Sequence, residues 1–203
     1  MNAEADATPF PERRRPGGRS ARVRAEVLAA VEQELAEHGY DGLTVDDVAR
    51  RSGVHRTTIY RRWKTVDALL VALLEAGEDD TWAPADTGSL AADLTALNRE
   101  LHASLAGTSP TGAVIAAAFR APAAAAALTR FWDDRYQRSA AVVTRAVTRG
   151  EIPEDTDPDR VLMAATSPLF HQLVLRRQPM TPAEADRWAA DAAAAAVAGI
   201  YRA

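Results

Sequence analysis

Apolar residues recur every three or four positions along most of the chain, which is the spacing of amphipathic α-helices. No run alternates apolar and polar residues for long enough to form a strand. Helices are predicted over residues 20–38, 65–77, 89–105, 111–120, 123–149, 158–177 and from residue 181 onward. The pattern therefore predicts an all-α fold.

Two further short helices are predicted between residues 43 and 64, on either side of a glycine. Thr44 is a good N-cap for the first, and Asp47 can complete a capping box. Gly53 stands where that helix must stop in a left-handed conformation. Two short helices joined by a glycine turn indicate a helix-turn-helix, whose second helix enters the major groove of DNA.

The second of these helices has the sequence HRTTIYRRW. Ile59 and Trp63 are four apart, so they are predicted to pack inward together. The other side chains then face solvent or DNA, namely His55, Arg56, Thr57, Thr58, Tyr60 and Arg61. Residues 50–64 hold six Lys or Arg and no Asp or Glu, although the net charge of the chain is −4. That local excess of cations indicates a polyanionic partner.

These residues resemble the N-terminal domain of the tetracycline-repressor-like (TetR) family of transcription regulators. The resemblance rests on LTVDDVARRSGV, then a helix ending in TTIYRRW, then a capped helix beginning DALL. A preceding helix that ends in EHGYDGLTV also fits, and the match covers about residues 19–75. One position departs from the family's sequence pattern, because the family commonly has a Lys where this chain has Val66. The resemblance implies a homodimer that binds double-stranded DNA and a small-molecule effector.

Arg56 is predicted to read a base, because a guanidinium can bond both acceptors of guanine. Thr57 and Thr58 are expected at a base edge, a thymine methyl or a phosphate. Phosphate contacts, which position a protein without reading sequence, are expected from Thr44, Tyr60, Lys64 and Thr65. His55 and Arg61 complete the predicted DNA-binding surface.

Charge divides the chain into two parts. Residues 1–66 hold 12 Lys or Arg against 10 Asp or Glu, a balance of +2, whereas residues 67–203 hold 12 against 18, a balance of −6. This asymmetry favours DNA contact at one end only. We therefore predict a disordered basic tail over residues 1–18, a DNA-binding domain over 19–66 and an effector-binding and dimerisation domain over 67–203. The tail is either simply solvated or an arm that follows the DNA backbone or enters the minor groove.

Several function classes are disfavoured. The chain has no cysteine, so it has no disulfide, thiolate nucleophile or cysteine-ligated metal. Its four histidines have no HExxH spacing, and no phosphate-binding glycine loop or nucleophile elbow occurs. We therefore expect no enzyme activity, cofactor or metal. No secretory signal or long uncharged apolar run is visible, so a cytoplasmic protein that does not span a membrane is expected.

Large side chains cluster on a few segments of the alanine-rich second domain, which predicts a cavity for a small, largely apolar effector, with aromatic molecules among the candidates. The predicted lining is Asn98, His102, Phe119, Trp132, Tyr136, Met163 and Phe170. For each of these residues, ordinary core packing is the alternative.

The last two predicted helices carry small and large apolar residues along one face each, which favours a four-helix interface between two copies over packing within one monomer. The predicted interface residues are Val161, Ala165, Leu169, Leu173, Trp188, Ala189, Ala192 and Ala196. The function predicted from these features is a homodimeric repressor that binds a palindromic operator and is released by a small molecule. Two alternatives remain, namely a DNA-binding architectural protein without an effector and an all-α enzyme that keeps a DNA-binding head.

Overall fold

The computed structural model describes residues 18–78, 81–106 and 110–203, and those residues are mostly helical. The helices are α1 (Gly18–Gly42), α2 (Val45–Ser52), α3 (Arg56–Trp63), α4 (Val66–Glu78), α5 (Leu90–Leu105), α6 (Pro110–Ala118), α7 (Pro122–Thr148), α8 (Pro158–Leu169) and α9 (Pro182–Val197). Within the described ranges no strand forms, and the all-α prediction is confirmed. The predicted tail lies outside the described residues, apart from Gly18.

Helices α1 to α4 share a buried core. Val31 and Leu35 of α1 pack with Val48 of α2 and with Ile59 and Trp63 of α3. The same cluster continues without a break into α6 and the first half of α7. Helices α1 to α4 are therefore packed directly on the rest of the chain, and the boundary predicted at residue 66 stays a prediction.

A second core lies among α5, α7, α8 and α9, and it corrects the predicted dimer interface. Six of the eight predicted interface residues are buried inside the subunit, namely Val161, Ala165, Leu169, Ala189, Ala192 and Ala196. Small side chains let helices approach closely, but the sequence pattern does not say whether the neighbouring helix belongs to the same copy. Here α8 packs on α9 of its own subunit. Leu173 is half-buried against the same interior, and only Trp188, at 42% exposure, lies on the outer surface.

The helix predicted over residues 158–177 changes form near its middle. Pro168 has no N–H to donate, and its ring crowds the preceding turn. Regular α8 ends at Leu169, and the chain continues as a π-helical segment over Phe170–Leu175. A π-helical turn is wider than an α-helical one and commonly occurs at functional sites. It begins at Phe170, which lines the cavity described below.

Candidate DNA-reading surface and effector cavity

Helix α3 presents a polar outer surface on a buried base. Ile59 is fully buried and Trp63 nearly so, which confirms the predicted inward face. His55 is the N-cap, and its Nδ1 accepts from the Thr57 N–H at 3.4 Å. The outward residues of the helix and of the turn after it are exposed or half-buried together: Arg56, Thr57, Thr58, Tyr60, Arg61, Lys64 and Thr65. The structure thus brings the predicted DNA-contacting side chains of α3 onto one accessible surface.

The turns around α3 are set by local hydrogen bonds. Gly53 ends α2 with φ 67°, as predicted. The Thr44 hydroxyl accepts from the Asp47 N–H at 3.1 Å and donates to the Asp47 carboxylate at 2.6 Å, so the two side chains cap α2 together. This bond and one from Arg50 lower the pKa of Asp47. The Thr65 hydroxyl accepts from the Ala68 N–H at 3.2 Å and caps α4. Both threonine hydroxyls are therefore already used within the protein.

Several of the six cationic side chains of residues 50–64 are bonded to other groups of the protein. The Arg51 guanidinium donates to Glu34 at 2.6 Å and to both carboxylate oxygens of Glu37, and so ties α2 to α1. Hydrogen bonding to Glu37 and Glu34 raises the pKa of Arg51, and the bond from Arg51 lowers the pKa of Glu37. Arg50 pairs with Asp47, and Arg62 donates to the Ser20 hydroxyl at 3.2 Å. Much of the local positive charge is thus neutralised or engaged inside the protein.

A cavity of about 310 Å³ lies among α5, α6, α7, α8 and the π-helical segment. Three aromatic rings form an edge-to-face row along its wall, with Trp132 5.1 Å from Phe131 and 5.0 Å from Phe170 between ring centroids. Tyr136 also lines it, and its hydroxyl lies 3.4 Å from that of Thr166. The lining is mostly apolar with a few polar groups, which is the usual character of a small-molecule site.

Charged groups line one part of the cavity beside Trp82. The Trp82 indole N–H donates to the Glu100 carboxylate at 2.5 Å. The Arg135 guanidinium carbon lies 4.7 Å from the Trp82 ring centroid and 5.0 Å from that of Phe131. Arg135 also donates to the carbonyl of Gly77, near the end of α4, at 3.1 Å. A ligand could therefore find both a hydrogen-bond acceptor and a donor here.

The segment that carries Trp82 is held in place by polar bonds to α5 and α7. Arg138 donates to the Trp82 carbonyl at 3.2 Å, and Arg145 donates to the Ala85 carbonyl at 2.5 Å. Further along, the buried Asp93 carboxylate accepts from both the N–H and the hydroxyl of Thr87. Residues 82–87 are thus fixed in place, and Trp82 among them lines the cavity. Helical periodicity carries no signal for this irregular segment, so Trp82 is absent from the predicted lining.

Four of the seven predicted effector residues lie elsewhere. Phe119 is 69% exposed in the turn after α6, and Met163 is 54% exposed on the outer face of α8. Asn98 is fully buried, and its amide donates to the Ala165 and Ala185 carbonyls at 2.9 and 3.0 Å. His102 Nε2 lies 2.7 Å from the Met180 carbonyl oxygen. Residue type alone cannot separate these surface and helix-joining roles from a cavity lining.

The three predicted residues that do line the cavity are Trp132, Tyr136 and Phe170. Lining residues outside the predicted set include Trp82, Glu100, Phe131 and Arg135. Glu100 and Arg135 were missed because charged residues on a helix usually face solvent, and nothing in the sequence places them beside a tryptophan. Phe131 also contacts α4, because its ring lies against Gly77.

Helix α4 connects the DNA-binding helices with the cavity wall. A Cβ at Gly77 would lie 2.7 Å from Cε2 of Phe131, so a glycine is needed for α4 and α7 to approach this closely. At the other end of α4, Asp67 accepts from the Tyr40 hydroxyl at 2.6 Å. That hydrogen bond raises the pKa of Tyr40, and burial of the phenol makes a smaller contribution in the same direction. One rigid element therefore spans from α3 to the cavity.

Comparison with known families agrees with both halves of this arrangement. Residues 27–73 match the family model for bacterial regulatory proteins of the tetR family, and residues 84–192 match the tetracyclin repressor-like C-terminal domain. The chain belongs to the TetR family. It is therefore a DNA-binding transcriptional regulator, and because the regulators it matches are not enzymes, the alternative of a helical enzyme is set aside.

Individual TetR-family relatives extend over most of the chain. The HTH-type transcriptional regulator AqdR of Rhodococcus erythropolis is 33% identical over 158 residues, which cover 75% of this chain and 74% of that protein. The DNA-binding transcriptional repressor TetR of Mycobacteroides abscessus is also 33% identical, over 74% of this chain and 82% of its own length. The crystal structure of the TetR family transcription regulator SCO0332 is 31% identical, with a TM-score of 0.64 over 85% of this chain and 97% of that one.

Two further observations concern membranes and metals. Within the described ranges, no helix combines the length and the apolar character that crossing a bilayer requires. The same residues contain no group of three or more His, Asp or Glu placed to hold a metal ion.

Proposed function

We propose that this TetR-family regulator is a repressor that binds a palindromic operator as a homodimer and releases it when a small, largely apolar molecule fills the cavity. The observation that carries the proposal is the course of α4. This one helix begins at the DNA-reading surface and ends against Phe131 and Arg135 at the cavity wall. The M. abscessus relative, which is named as a repressor, supports the direction of control.

Several residues of α3 are each assigned a particular contact with DNA. Arg56 would bond O6 and N7 of guanine, and the two threonines after it would reach a base edge, a thymine methyl or a phosphate. Tyr60 and Lys64 would contact phosphates, which position the helix without reading the sequence. Because the hydroxyls of Thr44 and Thr65 cap helices, these residues are proposed to contact phosphates through the backbone at the helix N-termini.

The effector proposed for the cavity is flat and mostly apolar, with a polar group at one end. Its apolar body would lie against the rings of Trp132 and Phe170, and its polar end would meet Glu100 and Arg135. Binding there would act on Arg135 and Phe131, the two cavity residues that contact α4 near Gly77. The effector would then favour an arrangement in which the two reading helices no longer fit the operator.

A homodimer is proposed through the outer faces of α8 and α9. Met163, Trp188 and Val197 are large apolar side chains that the single subunit leaves exposed there. Methionine and aromatic residues are enriched in protein interfaces relative to the rest of the surface, which makes Met163 and Trp188 the main candidates. The protein would act in the bacterial cytoplasm, where the chromosome lies.

Selection of bound duplexes from randomised DNA by the full chain tests this function. We expect enrichment of one inverted repeat, because two copies related by a twofold axis read two identical half-sites. An architectural protein without an effector would enrich no sequence, and no compound from a library of flat apolar molecules would raise its melting temperature. Enrichment of a single, non-repeated site would contradict the homodimer.

A further inference from the structure

Arg56 is held between two side chains on the DNA-reading surface. Its Nε lies 2.9 Å from Oδ1 of Asp46, in the first turn of α2. Its guanidinium carbon lies 5.1 Å from the ring centroid of Tyr60, one helical turn further along α3. The arginine is therefore oriented by a carboxylate on one helix and an aromatic ring on the other.

A carboxylate at this position requires an explanation, because it would face DNA phosphates of the same sign. Asp46 and Arg56 are both more than half exposed, so the pair contributes little to stability. The N-terminus of α2 is already capped by Thr44 together with Asp47. An acidic side chain in the first turn also favours the helix dipole, but that effect needs no particular partner, and the contact with Arg56 is the distinctive feature of Asp46.

We propose that Asp46 is a positioning residue that sets the base preference of Arg56. This inference rests on the proposed function, in which Arg56 reads a base. With Nε against the carboxylate, the two terminal amino groups of the guanidinium remain available to donate to O6 and N7 of guanine. The Tyr60 ring contacts the same guanidinium and restrains it, so less side-chain freedom is lost when DNA binds.

The two effects of the Asp46 charge on DNA binding have opposite signs. The carboxylate repels the phosphates of every duplex and so weakens binding to random DNA. It also orients Arg56 and so strengthens discrimination in favour of guanine. If Asp46 only stabilised α2, removing its charge would not tighten binding to random DNA while weakening the preference for guanine.

The test measures binding of the full chain to three fluorescent duplexes by anisotropy. These are the selected operator, the same operator with adenine in place of guanine at the position where Arg56→Ala loses preference, and a random duplex. For Asp46→Asn we expect the preference for guanine over adenine to fall about 3- to 10-fold, the size expected when a flexible side chain must be ordered on binding. Binding to the random duplex should tighten. Asp46→Glu should keep most of the preference.

Asp47→Asn is the matched control, because it removes the same charge one residue away without touching Arg56. It should tighten random binding and leave the guanine preference unchanged. In an Arg56→Ala background, Asp46→Asn should change the preference no further, because Asp46 acts through Arg56.

Three results would overturn the inference. One is an unchanged preference in Asp46→Asn, whether or not its melting temperature falls. Another is a loss of preference by Asp46→Asn in the Arg56→Ala background, which would mean that Asp46 reads a base itself. The third is an equal loss in Asp47→Asn. If the wild-type chain selected no sequence at all, the proposed function would fail as well, and that outcome is distinct from the other three.

Discussion

Arg120, in the turn between α6 and α7, donates to both carboxylate oxygens of Asp41 near the end of α1, at 2.9 and 3.3 Å. The same guanidinium lies 5.9 Å from the ring of Tyr40, whose hydroxyl donates to Asp67 near the start of α4. This turn of the larger domain is thereby joined to α1 and, through Tyr40, to α4. It is a polar connection between the two parts of the molecule, in addition to their shared apolar core and to the contact of α4 with the cavity wall.

Arg120→Gln should weaken communication between effector and operator. The pair is exposed, so we expect little change in melting temperature or in operator affinity without effector. The factor by which the effector lowers operator affinity should become about 3-fold smaller, because a polar connection between the two parts is lost while their shared apolar core remains. Anisotropy titrations with and without effector measure that factor. Arg99→Gln, which breaks an exposed pair with Asp186 inside the larger domain, is the control and should behave as wild type.

Arg51 should act on stability, although it lies in the cationic run. Arg51→Met would leave the carboxylate of Glu34, which is 2% exposed, without its guanidinium partner and with the His38 imidazole at 3.6 Å. An unpaired buried charge is costly, so the melting temperature should fall by about 5–10 °C. Arg50→Met removes an equal charge from an exposed neighbour and should leave the melting temperature nearly unchanged. Equal melting temperatures for the two variants, measured by calorimetry, would show that the Arg51 network is not structural.

Lys64 combines a proposed phosphate contact with backbone strain. It has φ 63° and ψ −43°, and the Thr65 N–H donates across it to the Trp63 carbonyl at 2.7 Å, which makes a strained γ-turn. Lys64→Ala and Lys64→Gly should weaken binding to all duplexes alike and flatten the salt dependence by about one unit per site. Glycine tolerates this φ, so Lys64→Gly should be about 1 kcal/mol more stable than Lys64→Ala in urea denaturation. Equal stability would argue against strain in this turn.

The outer and inner faces of α8 and α9 should respond differently to charge. Met163→Arg changes the exposed face proposed as the dimer interface, so sedimentation should show folded monomers with near-wild-type circular dichroism. Ala192→Arg would bury a charge and excess volume inside the subunit and should prevent folding. A folded Ala192→Arg protein that is monomeric would restore the interface predicted from sequence. An intact dimer of Met163→Arg would place the interface elsewhere.

Local patterns were enough to predict the DNA-binding half of the molecule. The N-cap at Thr44, the stop at Gly53 and the inward pair Ile59 and Trp63 all involve residues within a turn or two of one another. Such short-range rules depend on backbone geometry that sequence spacing fixes. The structure places these features as predicted.

The cavity depended on contacts between distant segments, so fewer of its residues could be predicted. Trp82 lies against Glu100 and Arg135 through bonds that no helical period encodes. Phe119 and Phe170 are equally apolar in the sequence, yet one is on the surface and the other lines the cavity. The dimer interface predicted on the alanine-rich faces of α8 and α9 was wrong for a related reason. Small residues that allow close helix packing look the same in a sequence whether the two helices belong to one copy of the chain or to two.

The central claim is that occupancy of the cavity lowers operator affinity, and one anisotropy titration tests it most directly. The selected operator is titrated with the full chain, with and without a compound that raises the melting temperature of the wild type but not of a folded Trp132→Ala variant. We predict that the compound lowers operator affinity at least about 5-fold in the wild type and in Phe119→Ala, and has no effect in Trp132→Ala. Unchanged operator affinity in the wild type, with the compound bound in the cavity, would contradict the account.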